Sequence, residues 1–270
     1  MKVFLSVDME GVAGVCAREE VTKGDPDYPA AAARMTAETS AAVEGAFAAG
    51  ADEVWIKDAH WTGRNIDLDA LPDVAGKRVR LVRGWSGHPF GMVDGLDESF
   101  ECVGFVGYHS AASDGGNPLS HTLSSRLLAR VSVNGELMSE MRIFAWAASL
   151  VGVRFAFLAG DRAVCESARR IAETAIVVDT FEGHGASIVT SHPLESARRI
   201  REGMERAVRD RAGRVVPIPA ELDVEIGFHH HAEARRRAYY PGASLDGPTT
   251  VRFQAADWFE VLRLLRFMTL

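Results

Sequence analysis

Apolar residues in this chain fall in short runs separated by longer polar or alanine-rich stretches. The first run, Val3-Phe4-Leu5-Ser6-Val7, has strand character and passes directly into Asp8-Met9-Glu10-Gly11. Residues 28–49 carry Met35, Ala42, Val43 and Phe47 near one face and are closed by Gly50, a helix with a C-terminal glycine stop. Glu53–Lys57 then reads as a second strand, and a β-α-β opening implies a parallel pair. Arg78–Val82 and Glu101–Gly107 are further strands, and Arg130–Val133 runs into Asn134-Gly135, a hairpin signal. An apolar helix is expected over 139–151, followed by strand Phe155–Leu158. Asp161 is placed to cap a helix reaching about Thr174. A long Arg/Glu helix spans 192–212, Leu222–Phe228 and Thr249–Gln254 are strands, and 256–269 is a closing amphipathic helix.

This alternation predicts an α/β fold: a mostly parallel central sheet flanked by helices, with a smaller α/β subdomain in the second half. The expected division is 1–160 for the core, 161–245 for the subdomain, and 246–270 for a strand and helix returning to the core. Internal repeats and low-complexity linkers are absent from the sequence.

Composition narrows the class. The 270 residues are 47% hydrophobic and 25% charged, with a net charge of -7. Such a chain has no electrostatic footprint for nucleic acid. Lysine occurs only at Lys2, Lys23, Lys57 and Lys77, so the abundant arginine reads as composition bias. Three cysteines without CxxC spacing, Cys16, Cys102 and Cys165, argue against a disulfide framework or a thiolate zinc site. No apolar run reaches the ~18 residues of a membrane span, and strand one leaves no room for a signal peptide. A cytoplasmic protein without membrane or nucleic-acid partners is expected.

Chemistry concentrates where strands end. Asp8 and Glu10 follow the first strand, Asp58-Ala59-His60 the second, and Gly107-Tyr108-His109 a later one. In an open α/β sheet, sites form outside the carboxyl ends of the strands. The i, i+2 spacing of Asp8 and Glu10 puts both carboxylates on one side of an extended segment, with Met9 turned toward the core. Carboxylate oxygen and imidazole nitrogen are suitable zinc donors, and a mixed set lacking cysteine suits a catalytic site.

These residues carry a resemblance. Ser6-Val7-Asp8-Met9-Glu10-Gly11 is similar to the opening of the D-aminopeptidase family. Asp58-Ala59-His60, Met92-Val93-Asp94-Gly95-Leu96-Asp97, Gly107-Tyr108-His109, Leu119-Ser120-His121, Ala159-Gly160-Asp161 and Thr249-Thr250-Val251 with Phe253-Gln254 extend it, in order, over essentially the whole chain. The resemblance implies a zinc-dependent aminopeptidase acting on short peptides with an N-terminal D-residue such as D-Ala. It implies two zinc ions per subunit. Asp8 matches their bridging carboxylate, Glu10 and His60 match ligands of one ion, and His109 and a downstream glutamate match ligands of the other. Both Glu136 and Glu140 are near; counting from Asn134-Gly135 toward the Ala-Trp-Ala segment favours Glu140. His121 matches a catalytic histidine near the metals without being a ligand, as nucleophile or as general base; the alternative is a histidine that orients another group. Ring-shaped decamers are implied by the same resemblance. The segment Ser110–Ser120, containing Asp114-Gly115-Gly116-Asn117-Pro118, is one residue longer than the pattern of the family it resembles. Alternatives are the same hydrolase acting on L-peptides or another amide, and a non-catalytic binding protein keeping the fold.

Two signals stand outside this set. His229-His230-His231 is expected to be a partly exposed strand-to-helix loop, and Arg235-Arg236-Arg237 a solvated helix face.

Overall fold

A computed structural model of the chain describes residues 1–269. The chain starts with β1 (Lys2–Val7), a short helix α1 (Arg18–Val21) and a long helix α2 (Tyr28–Ala48). Proline in the first turn suits the start of α2, and at its other end Gly50 takes a left-handed φ of 95°. There the Gly50 amide donates to the Phe47 carbonyl and the Ala51 amide to that of Ala46, which satisfies two carbonyls the helix end would leave unpaired. The strands β2 (Glu53–Asp58), β3 (Arg78–Val82) and β4 (Cys102–Tyr108) follow.

Then come β5 (Leu128–Val133), β6 (Glu136–Leu137), α3 (Glu140–Leu150), β7 (Arg154–Asp161) and α4 (Arg162–Ile171). Asn134 and Gly135 turn between β5 and β6 with φ of 53° and 80°, and Ser139 and Asp161 cap α3 and α4 through their side chains. The remainder is β8 (Ile176–His184), β9 (Ser187–Thr190), α5 (Pro193–Arg209), β10 (Leu222–Phe228), α6 (His231–Arg237), β11 (Ala243–Asp246), β12 (Thr250–Ala255) and α7 (Trp258–Met268).

The α/β expectation holds. Seven strands in the order β3-β2-β1-β4-β7-β8-β9 form the central sheet, parallel except for the β8–β9 edge hairpin. Its inner strands β1, β4 and β7 are buried almost end to end, as strands covered on both faces must be. One face packs Val3, Leu5 and Ile56 against Met35 and Ala42 of α2 and Ile200 and Met204 of α5. The other packs Phe4, Phe105 and Phe155 with Phe144 of α3, Val224 of β10 and Trp258 of α7. A second, antiparallel sheet in the order β11-β12-β10-β5-β6 lies beyond that face, and β10 alternates buried and half-buried residues as a one-sided strand should.

The small sheet does not follow the segment 161–245. It takes β5 and β6 from residues 128–137, while β8 and β9 belong to the central sheet. Residues of β12 and α7 share one apolar cluster with β4, β7 and α3; Leu270, at the end of the expected 246–270 unit, lies outside the described residues. The arginine triplet also differs from expectation. Arg235 and Arg236 are exposed, but Arg237 is buried, donates to the Met268 carbonyl and pairs with Glu233, tying α6 to the end of α7. His229, His230 and His231 are all exposed, and His231 opens α6.

A buried acid joins the two helices of one face. The Glu38 carboxylate on α2 accepts from the Ser196 hydroxyl of α5 at 2.7 Å and the Ala13 amide at 3.1 Å, both through Oε1, leaving Oε2 without a partner. Burial pushes its carboxyl up to about 7, against the pull of those two donors. The folded protein therefore holds a proton that the unfolded chain releases above its ordinary 4.5, so stability from this group falls as pH rises from about 4.5 to about 7 and is level beyond. The loss is about 3 kcal/mol across that window. Glu38→Gln is expected to remove it: in urea unfolding, the variant gains on the wild type between pH 5 and 7. A stability difference that stays constant over that range would show that Glu38 is ionised in the fold.

Candidate metal centre

Strand order decides what meets what. β1 lies between β2 and β4, all three parallel, so the residues after their carboxyl ends share one edge. Asp8 therefore sits between His60 and His109. Its Oδ1 is 3.2 Å from His60 Nδ1, and its Oδ2 is 3.4 Å from His109 Nε2. Glu10 Oε2 reaches the same His60 nitrogen at 3.0 Å. Glu140, the first residue of α3, places Oε2 at 3.5 Å from His109 Nε2 and Oε1 at 3.6 Å from His121 Nε2. The His109 and His121 rings stack with centroids 4.4 Å apart. All six candidate residues thus converge. Glu136 does not: its side chain is 69% exposed on β6, facing Arg142, whereas Glu140 is buried.

The ring nitrogens that face away from the acids are tied to main-chain carbonyls. His60 Nε2 lies 2.8 Å from the Val21 oxygen, His109 Nδ1 2.8 Å from that of Ser110, and His121 Nδ1 3.0 Å from that of Leu119. A carbonyl only accepts, so each of these nitrogens carries its proton, which in the neutral ring leaves the opposite nitrogen as a bare lone pair. Three lone pairs then point at three carboxylates. Acceptors facing acceptors at 3.0 to 3.6 Å demand positive charge between them, either protons on the rings or metal ions. Asp8 Oδ2 and His109 Nε2 are buried without any hydrogen-bond partner, which marks the same gap. Donor atoms of Asp8, Glu10 and His109 lie within 4.8 Å of one another, as do those of His109, His121 and Glu140. The donor set fits a pair of borderline divalent cations such as zinc.

The charges perturb one another strongly. Burial and the neighbouring Glu10 charge push the Asp8 carboxyl up. Burial also opposes ionisation of Glu10, but His60 outweighs it and holds that carboxyl well below the usual range. His60 and His109 are raised far above an ordinary imidazole, because the acids facing them overcome the cost of burial.

Several residues that the sequence reading left aside hold the centre in place. Asp161 caps α4 through Oδ1, and its Oδ2 accepts from the Ser110 amide at 2.7 Å and from Asn117 Nδ2 at 3.1 Å. Asn117 Nδ2 also donates to the Glu10 carbonyl at 2.9 Å, so one carboxylate braces the backbone beside both His109 and Glu10. Asp58 accepts from the Asn65 and Ile66 amides, and Asn65 donates to the His60 carbonyl at 2.7 Å. The motif Asp58-Ala59-His60 thus pairs a ligand candidate with the acid that orders its loop.

A cleft of about 930 Å³ opens over the centre. Its walls include Trp61, 57% exposed, and Trp85, 40% exposed, whose indole donates to the Trp61 carbonyl at 2.8 Å. Beneath Trp85 lies Lys57, fully buried. Its ammonium donates to the Gly84 carbonyl and sits 4.1 Å from the Trp85 ring centroid, with burial lowering its pKa.

The fold and the centre together describe an α/β core with a buried cluster of acids and imidazoles, suited to cations, at the carboxyl ends of its parallel strands. A family model described as D-aminopeptidase matches residues 1–267, and the chain belongs to that family. A D-aminopeptidase of Bacillus subtilis (strain 168) is 29% identical over 275 residues, covering 100% of this chain and 97% of its own length. The solved structure of the Zn-dependent D-aminopeptidase DppA from Bacillus subtilis, described as a self-compartmentalizing protease, aligns with a TM-score of 0.90. It is 26% identical and covers 100% of this chain and 97% of its own. The expected family, the α/β fold and the aminopeptidase class hold.

The centre depends on a close crossing of two strand ends. A Cβ on Gly11 would stand 1.8 Å from the Tyr108 carbonyl oxygen, and Gly107, at φ 71°, would meet the Asp8 carbonyl at 2.2 Å. Gly11→Ala and Gly107→Ala are each expected to cost more than about 3 kcal/mol in urea unfolding. Gly115→Ala, with open space around it, should stay within about 0.5 kcal/mol. Equal costs at all three positions would refute the crossing as a constraint.

Proposed function

We propose that this chain is a zinc-dependent aminopeptidase that releases an N-terminal D-residue, such as D-Ala, from short peptides. Asp8, Glu10, His60, His109 and Glu140 would hold two zinc ions per subunit, with Asp8 as the carboxylate shared between them. The observation that supports this most directly is the set of three histidines, each with one N–H committed to a carbonyl and the other nitrogen aimed at buried carboxylates. The Zn-dependent relative of matching fold adds the identity of the metal. Zinc at such a centre supplies a Lewis acid for the amide carbonyl and lowers the pKa of water toward ~7.

The protein's own residues divide the remaining work. Asp8 and Glu140 each face two different partners through separate oxygens, so they space the two halves of the centre. His121 is the candidate least enclosed by protein, its side chain 19% exposed into the cleft. With Nδ1–H fixed on the Leu119 carbonyl, its Nε2 is free to take a proton and return it to the departing amine. A ligand role for His121 fits the same distances, since it shares a donor cluster with His109 and Glu140.

Asp8→Ala is expected to lose metal and turnover together. His121→Ala should lose activity by 100-fold or more, on the order of a general acid-base contribution, while keeping its metal. Zinc content by atomic emission checks both; loss of zinc from the His121 variant would make it a ligand. Release of p-nitroaniline from D-Ala p-nitroanilide but not from L-Leu p-nitroanilide is expected of the wild type. Turnover of the L-substrate alone would replace the D-selective reading with an L-aminopeptidase.

A closed homo-oligomer is part of the proposal, supported by the self-compartmentalizing relative, and a ring of ten is its expected form. Light scattering should then give about ten times the chain mass of 29.3 kDa. A monomer would overturn it.

A further inference from the structure

Outside the candidate ligands, the charged residues lining the cleft are Arg18, Arg126, Arg266 and one acid, Asp94. The arginines come from three separate places: the start of α1, the loop beyond His121, and the end of α7. The guanidinium of Arg266 leans on the loop that carries Trp85; its Nη2 is 4.0 Å from where a Cβ on Gly87 would stand. None of the three guanidinium groups has an ion pair or a hydrogen bond among the described residues. Many other arginines meet acids, as Arg252 meets Glu225 and Asp246, Arg199 meets Asp179, and Arg162 meets Glu182, although Arg64, Arg83 and Arg130 do not among the described residues; what sets Arg18, Arg126 and Arg266 apart is that they line one cleft. Asp94 does not neutralise the wall. Its Oδ2 accepts from the Ser86 hydroxyl at 2.5 Å, and the buried Lys57 ammonium lies close enough to feel its charge.

We propose that the cleft selects ligands that carry a carboxylate beyond the scissile amide, on the portion released as the amine. The proposal rests on the amide-hydrolase reading of the centre. Arg266 is half-buried, Arg18 and Arg126 are exposed, and three unpaired guanidinium groups lining one concavity add to a single positive field over it. This occurs in a chain of net charge -7, so it is a local feature and not a reflection of overall charge. Guanidinium presents parallel N–H donors that match a carboxylate, whereas a neutral carboxamide gains little there. The acids of the centre do not cancel the wall, because the same metal charge that their geometry calls for neutralises them. A cleft of about 930 Å³ is the size of a small-ligand pocket, and Trp61 and Trp85 give it an apolar side. A short peptide ending in an acid fits both features. The carboxylate has two sources, the free C-terminus of a di- or tripeptide or an acidic side chain.

Binding separates this inference from the question of turnover. Three hydrolysis-resistant D-Ala-D-residue peptides with the scissile carbonyl reduced to methylene serve as ligands. One ends in a free carboxylate, one is its carboxamide, and one is a carboxamide with a D-Glu side chain. Calorimetry on the zinc-loaded wild-type protein is expected to show at least tenfold tighter binding of a carboxylate-bearing ligand than of the neutral carboxamide. The preference should shrink as ionic strength rises. Preference for the first ligand alone assigns the C-terminus; preference for the third assigns the side chain. Arg266→Gln, Arg126→Gln and Arg18→Gln, singly and combined, should reduce that ratio toward one. Equal affinity for all three ligands, or a ratio untouched by the combined variant, overturns the proposal. If the preference is present but intact D-Ala-D-Ala is not cleaved, the carboxylate inference stands and the peptidase reading falls.

Discussion

Everything in this protein's centre hangs on the position of Asp8 at the end of the middle strand of three. Because β1 pairs with β2 on one side and β4 on the other, one carboxylate faces two histidines through two oxygens. The arrangement is unfavourable in the bare chain, since burial and Glu10 both resist the Asp8 charge. It persists because the surrounding loops leave it no room to relax. Gly11 and Gly107 let the two strand ends pass at van der Waals limits, Asp161 with Asn117 clamps the backbone of Ser110 and Glu10, and Asp58 with Asn65 clamps that of His60. Each clamp is itself a buried acid engaged with amide donors, which offset much of the cost of its burial.

The parts of this that were legible in the sequence are those governed by local pattern. Strand-like runs ending in Asp8, His60 and His109 announce residues on a shared edge once the sheet is taken as parallel, and the β-α-β opening implies that it is. Glu140 separates from Glu136 by local chemistry as well, because Ser139 caps the helix and turns residue 140 inward while the hairpin exposes residue 136. What escaped is what only the tertiary fold brings together. Asp161 reads as a helix cap, and it is one; its second oxygen serves a loop fifty residues upstream. The edge hairpin of β8 and β9 lacks a clean apolar alternation, since only Val178, Thr180 and Phe181 of its thirteen positions are buried. Arg237 looks like its exposed neighbours until α6 packs against the end of α7. The three cleft arginines read as compositional background, for nothing in the sequence shows that positions 18, 126 and 266 converge.

The cleft wall and the centre beneath it use charge in opposite ways. In the centre, acids and imidazoles are close, buried and held by hydrogen bonds, so the place of the charge they call for is fixed. On the wall, guanidinium groups are separate and partly solvated, able to turn toward a ligand. Lys57 belongs to neither group. Its ammonium is enclosed, and its role is mechanical: it pins the Gly84 carbonyl and the Trp85 ring, fixing the loop against which Arg266 rests.

The second sheet explains why such a centre needs the whole chain. Asp8, Glu10, His60 and His109 follow three adjacent strands and come together as soon as the central sheet forms. Glu140 and His121 do not. They flank the β5–β6 hairpin, whose strand β5 pairs with β10 nearly a hundred residues later. Thr122 Oγ1 ties the two flanks, donating to the Met138 carbonyl and accepting from the Ala112 amide, and Glu140 Oε1 accepts from the Leu123 amide at 2.6 Å. Two of the six candidate residues are thus delivered by the antiparallel sheet packed on the face of the parallel one. A cation held by both Asp8 and Glu140 would tie the two sheets together, and its binding energy would then also be energy of folding. The cleft lies along the same junction, walled on one side by loops of the parallel sheet and on the other by α3 and α7. The seam between the sheets, the shape of the cleft and the convergence of the acids and imidazoles are therefore one property of this fold.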